Sequence, residues 1–183
     1  SISSDGNIIA YISLSTNIVN NDNNGKIDVF IYDRVKNQTT RIASTLGEPN
    51  GPSFYPQVSG NGRFIAIYSG ATNLVNSDTN TRDDLFVYDR ILGTVTLASV
   101  DENGNQINSN VGNVFSISYD GTYSAFTSSD FPTPDAPTIA VISASPGPGP
   151  STTRPARGLA APARPRARPP PPTAPLIRDP TPL

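Results

Sequence analysis

The chain has 183 residues, with 13 basic and 15 acidic side chains, 19 prolines, and no His, Cys, Met or Trp. Without His or Cys, it can hold no Ser-His-Asp triad, no thiol nucleophile, no His-ligated zinc and no disulfide. The averages hide a switch: residues 1–131 carry 7 basic and 13 acidic side chains, a net of -6, whereas residues 132–183 carry 6 Arg, 2 Asp and 16 of the prolines. An acidic body repels phosphate backbones, which argues against a nucleic-acid partner. No apolar run has the length of a membrane span, and no signal peptide is visible. The first residue is not Met and lies inside a repeat, which reads as a fragment of a longer protein.

In chain order, Ile2-Ser-Ser-Asp-Gly6 opens a unit that recurs at Val58-Ser-Gly-Asn-Gly62 and Ile117-Ser-Tyr-Asp-Gly121, 56 and then 59 residues on. Asp-Gly and Asn-Gly between apolar runs are hairpin signals, expected here as type I′ turns with both residues at positive φ. Strands are expected after each, over 7–12, 63–68 and 122–127. Ala10, Ala66 and Ala125 stand in register within them, small enough to let a neighbouring sheet approach. A polar insert follows, 13–27 and 69–83. Then come Val29-Phe-Ile-Tyr32 and Leu85-Phe-Val-Tyr88, apolar on both faces and so covered on both. Thr-rich fourth strands are expected over 39–43 and 94–98, followed by loops over 46–56 and 101–112.

The stretches Thr16–Arg34 and Thr72–Arg90 align without a gap and agree at 11 of 19 positions. Four short strands in about 57 residues, repeated, with no helical periodicity, are the pattern of β-propeller blades. The motifs Ser-x-Asp-Gly, Thr-Asn-Leu-Val, Asp-x-Asn and Asp-φ-Phe-φ-Tyr-Asp-Arg resemble the TolB-type, WD40-like propeller repeats of exported bacterial proteins. That resemblance implies an all-β, incomplete propeller: blades over 1–57 and 58–115, a partial blade over 116–130, and a periplasmic or extracellular location. After Ser129 the repeat fails, and residues 131–183 read as a Pro/Ala/Arg-rich disordered tail. The tail reads either as a linker or wall-spanning stalk, or as translation out of frame; residues 138–143 could add one more strand.

The inserts hold the candidate chemistry. Asp22-x-Asn24-x-x-x-Asp28 and Asp78-x-Asn80-x-x-x-Asp84 place oxygen ligands at the spacing of a calcium loop, but Lys26 and Arg82 stand where a further acid is wanted. The competing reading is a set of Asx turns that fix a long loop, with Asp28 and Asp84 pairing with Lys26, Arg34 or their counterparts. Asp33-Arg34 and Asp89-Arg90, where strands meet turns, are expected to fix those turns and link neighbouring blades. End blades are expected to expose apolar faces around Phe30 and Phe86 and so to drive self-association. No enzyme is expected within this chain. Three functions fit: a scaffold binding protein or glycan partners through blade loops, the accessory propeller of a hydrolase whose catalytic domain lies elsewhere, or a calcium-stabilised structural repeat.

Overall fold

The computed structural model describes residues 1–101 and 103–128, together with the backbone of 140–143. All of them belong to one compact unit, Ser1–Ser151. The tail expected over 131–183 otherwise lies outside the described residues. The described chain is all-β. Among the described residues no helix is long and apolar enough to cross a membrane.

Among the described residues, ten strands form three antiparallel sheets. The first takes β1 (Ile8–Ser13), β2 (Asp28–Asp33) and β3 (Gln38–Arg41) in that order. The second is β4 (Ser53–Val58), β5 (Phe64–Ser69), β6 (Asp84–Asp89) and β7 (Thr94–Leu97). The third places β9 (Tyr123–Ser128) between β8 (Val111–Ile117) and β10 (Ala140–Ser143). Ser1 supplies the stump of an innermost strand to the first sheet, exchanging backbone hydrogen bonds with Ala10 at 2.9 Å. The second sheet is therefore a whole blade, with the others built to the same register. Ile31 faces Ala10 as Val87 faces Ala66 and Val141 faces Ala125.

Two cores join the sheets, and strand alternation decides who enters which. Ile8, Ala10, Val29 and Ile31 of the first sheet pack with Ile65, Ile67 and Phe86 of the second. The opposite face of the second sheet, Phe64, Ala66, Leu85 and Val87, packs with Val111 and Phe126 of the third. The strands β5 and β6 of the second sheet are thus buried on both faces, as their unbroken apolar runs require. The expectation of exposed apolar faces around Phe30 and Phe86 is corrected: both are 0% exposed. Phe86 turns back toward the first sheet, which covers it, and Phe30 lies beneath the Tyr11 ring at 5.8 Å.

The opening turns differ from the expected type I′. Gly6, Gly62 and Gly121 have φ near +70°, at 71°, 72° and 75°, while Asp5, Asn61 and Asp120 do not enter the positive region. Gly6 N donates to Ser3 O at 2.9 Å, closing a turn that ends in a left-handed glycine. The reason is the serine. Ser3 Oγ donates to Asp5 Oδ1 at 2.6 Å and accepts from Ile8 N at 3.0 Å, and Asp5 Oδ1 also accepts from Asn7 N. Ser59 with Asn61, and Ser118 with Asp120, repeat the arrangement. The Ser3 hydroxyl and the Asn7 amide hold the exposed Asp5 carboxyl down at about 2. Because Asn7, Arg63 and Thr122 give their amides to these side chains, each following strand starts one residue later than expected.

The loops expected over 46–56 and 101–112 are shorter, because β4 and β8 begin inside them, at Ser53 and Val111. Pro56 is accommodated where the β4–β5 register shifts between Phe54 and Gln57. A bulge leaves a residue out of the ladder, so the missing amide there costs no sheet hydrogen bond. The sheets accordingly begin several residues before the unit boundaries at 58 and 116. Gly51 lies at the mouth of this strand, where a Cβ would stand 2.4 Å from Gly70 O and so no larger residue fits.

Candidate functional site

At one end of the first two sheets, the insert leading into β2, the insert leading into β6 and the loop between β3 and β4 meet. Arg41, the last residue of β3, reaches into the first insert with a side chain only 8% exposed. Its Nη1 lies 2.6 Å from Glu48 Oε1 and 3.2 Å from Asp28 Oδ2, both hydrogen-bonded. It lies 2.9 Å from Asp22 Oδ1 as an ion pair without a hydrogen bond. Nη2 donates to Asn21 O at 2.9 Å. A guanidinium therefore fills the centre of the group expected to receive calcium. Glu48 also accepts from the Asn23 and Asn24 amides, which hold its carboxyl below the usual range together with Arg41. Burial pushes Asp28 upward, against Asn24 and Arg41.

Asn24 serves the loop's own backbone. Its Oδ1 accepts from Lys26 N at 2.8 Å, and its Nδ2 donates to Asp28 Oδ2 and Pro49 O. Asn80 does the same with Arg82 N at 2.8 Å and Ile107 O at 2.7 Å. The amide oxygens wanted as ligands close Asx turns. Lys26 and Arg34 do not pair with Asp28; the cation comes from Arg41 instead. Arg34 donates to Gly6 O at 3.0 Å.

In the second insert, Leu97 occupies the place of Arg41, since Leu97 pairs with Phe86 as Arg41 pairs with Phe30. A neutral amide replaces the cation: Gln106 Nε2 donates to Asp78 Oδ1 at 2.8 Å and Asp84 Oδ2 at 3.0 Å, while its Oε1 accepts from Thr79 N at 2.9 Å. Ser99 Oγ donates to Asp84 Oδ1 at 2.6 Å. Asp84 is 0% exposed. Burial raises its pKa from 3.8, against Ser99, and the Asp78 charge raises it further. The folded state then binds this proton more tightly than the unfolded chain does. Stability from this group is present at low pH and falls as pH rises from 3.8 to the raised folded value. Asp84→Asn should flatten that slope in pH-dependent urea unfolding and leave stability at pH 7 equal or higher. A steeper loss at pH 7 would mean that the carboxylate is needed ionised.

The two inserts are tied through the loop between them. Asn50 exchanges hydrogen bonds with Thr72 at 2.8 and 2.9 Å, Asn73 Oδ1 accepts from Asn50 N, and Asn73 Nδ2 donates to Glu48 O at 2.7 Å. At the opposite end, Asp33 Oδ1 accepts from the Val35 and Lys36 amides, and Asp89 Oδ1 from those of Ile91 and Leu92. Arg90 Nη1 reaches Asp33 Oδ2 of the preceding sheet at 3.3 Å, and its Nε donates to Gly62 O. Asp89 takes Arg63 instead, with Nη2 at 2.7 Å. The sequence motifs do not point to Arg41, Glu48, Ser99 or Gln106. The one available signal is a charged Arg41 closing a half-buried strand where the second copy has Leu97.

No protein-family model matches the sequence, and no curated protein matches it. Among solved structures, the chain is similar to a TolB-type protein of Agrobacterium tumefaciens at 17% identity and a TM-score of 0.44, covering 76% of this chain and 42% of that one. It is similar to TolB of Acinetobacter baumannii at 15% identity and a TM-score of 0.43, covering 78% of this chain and 28% of that one. The tricorn protease matches at 17% identity and a TM-score of 0.41, over 76% of this chain and 12% of that one. The chain spans less than half the length of each. What makes these sheets propeller blades is their own strand order, shared register and face-to-face stacking.

Proposed function

We propose that this chain is a non-catalytic propeller scaffold of an exported bacterial protein, acting in the periplasm or outside the cell and binding protein or glycan partners through its insert loops. One observation carries this reading: both inserts and the loop between them are fixed to a single rigid base by Arg41, Glu48, Asn50 and Asn73. Recognition loops held on a stiff scaffold lose little entropy on binding. Self-association belongs to the same reading, with Ile2, bridged to β1, and Leu14, just after β1, 56% and 60% exposed as its contact.

The test screens the full chain against glycan and peptide arrays, beside a Lys26→Glu, Arg82→Glu variant changed only at exposed insert positions. Light scattering reports the oligomeric state of both. The expected result is a ligand retained by the parent chain and lost by the variant at unchanged melting temperature. A ligand that survives both charge reversals would remove the inserts from the binding surface.

A further inference from the structure

Arg63 shows how this chain holds a guanidinium: its Cζ lies 4.9 Å from the centre of the Phe64 ring, and its Nε and Nη2 donate to Asp89 at 2.7 to 3.1 Å. One aromatic face and one carboxylate together grip a planar cation. Tyr68 links another ring and carboxylate, Tyr55 of the β4 bulge and Asp83, and among the described residues no cation pairs with that carboxylate. Tyr55 is 49% exposed, with its ring 6.2 Å from that of Tyr68. Tyr68 donates its hydroxyl to Asp83 Oδ2 at 2.9 Å. Asp83 Oδ1 carries no hydrogen bond from any described residue, and it packs against Gly70, where an added Cβ would stand 2.5 Å away.

The backbone is strained to present this ring. Tyr55 has φ 51° and stands immediately before Pro56. A bulky residue at positive φ is an outlier, and a following proline disfavours everything but extended backbone. Strain kept beside an exposed aromatic ring points to use of that ring, since bulges re-aim side chains and a glycine would remove the strain.

We propose that Tyr55, Tyr68 and Asp83 form a docking site for a basic side chain, an arginine of a protein partner, with the guanidinium on the Tyr55 face and paired to Asp83 Oδ1. The net charge of -6 over residues 1–131 favours a cationic partner, and the open platform suits a side chain presented on a protein surface. Burial and the Asp83 hydrogen bond push the Tyr68 hydroxyl up to about 12, so it stays protonated and keeps Asp83 oriented. The proposal rests on the scaffold reading only in treating the chain as a binder.

The test titrates the full chain with acetyl-Gly-Arg-Gly-amide and acetyl-Gly-Gln-Gly-amide, followed by tyrosine fluorescence and backbone amide shifts. Saturable binding is expected for the arginine peptide only, weakened about fivefold or more by Asp83→Asn and by Tyr55→Gly. Tyr55→Gly should melt no lower than the parent chain, because glycine accepts the left-handed backbone, so its loss of binding reports the ring and not the fold. Lys26→Glu with Arg82→Glu should leave peptide binding intact, so this site and the insert-loop reading fail separately. No saturable response, an equal response to both peptides, or an arginine response that survives both substitutions overturns the proposal.

Discussion

Arg41→Ala should destabilise the chain by about 3–5 kcal/mol, measured by urea unfolding at pH 7, because it leaves a group of carboxylates without their cation. Asp28 is 0% and Asp22 6% exposed, and the guanidinium that faces them is itself almost wholly enclosed. The loss combines a missing partner with desolvated acids that water cannot reach. It should extend beyond one strand, because Glu48, once released by Arg41, also holds the Asn23 and Asn24 amides.

The second blade supplies the control for this prediction. There a glutamine amide joins Asp78 to Asp84 with no positive charge, so the loop architecture itself does not demand a cation. Arg41→Gln should therefore cost less than Arg41→Ala, provided the amide reaches Asp28. The same variants separate the calcium reading from the ion pair. Millimolar calcium should leave the melting temperature of the parent chain unchanged and raise that of Arg41→Ala, where the carboxylates stand open. A calcium-dependent shift in the parent chain would mean that the guanidinium and the metal occupy different places. An Arg41→Ala chain as stable as its parent would show that the carboxylates relax to solvent and that Arg41 is not what holds the insert.

Much of the fold is legible in the sequence because its signals are local and occur twice. The runs Val29–Tyr32 and Leu85–Tyr88, apolar on both faces, become the central strands β2 and β6, and Ala10 and Ala66 lie in the cores between sheets. β4 is less legible, since Pro56 and the nearby glycines read as loop and only the bulge explains how a proline enters a ladder. The turn type is hidden as well. Asp-Gly fits two geometries, and the choice falls to Ser3, whose hydroxyl binds both the Asp5 side chain and the Ile8 amide. The candidate site is the least legible. Arg41 follows Asp28 by 13 residues, and Gln106 follows Asp78 by 28, so motif spacing within an insert cannot show what a later strand or loop brings to it. Side-chain partners that arrive across sheets are set by register and packing, which become visible only once the strands are placed.

Phe86→Ala should cost about 3–5 kcal/mol and uncouple the first two blades. Phe86 is fully buried in the core that Ile8, Ala10, Val29 and Ile31 share with the second sheet. In a repeat architecture, stability is the sum of each unit's own terms and the interface to its neighbour. The first sheet has only three strands and the Ser1 stump, so it depends on that interface more than the complete four-stranded sheet does. Hydrogen exchange should show this directly. Amides of β1 and β2 should lose protection along with those of β5 and β6, whereas Tyr55→Gly should change neither pair. Arg90→Ala removes the partly exposed 3.3 Å ion pair to Asp33 and the hydrogen bond to Gly62 O, and should cost about 1–2 kcal/mol, still well below Phe86→Ala. If Phe86→Ala exposed only its own sheet to exchange, the blades would be independently stable and the shared core would be contact without coupling. Equal losses of protection in both sheets would make the Phe86 interface the element that turns two similar sheets into one folding unit.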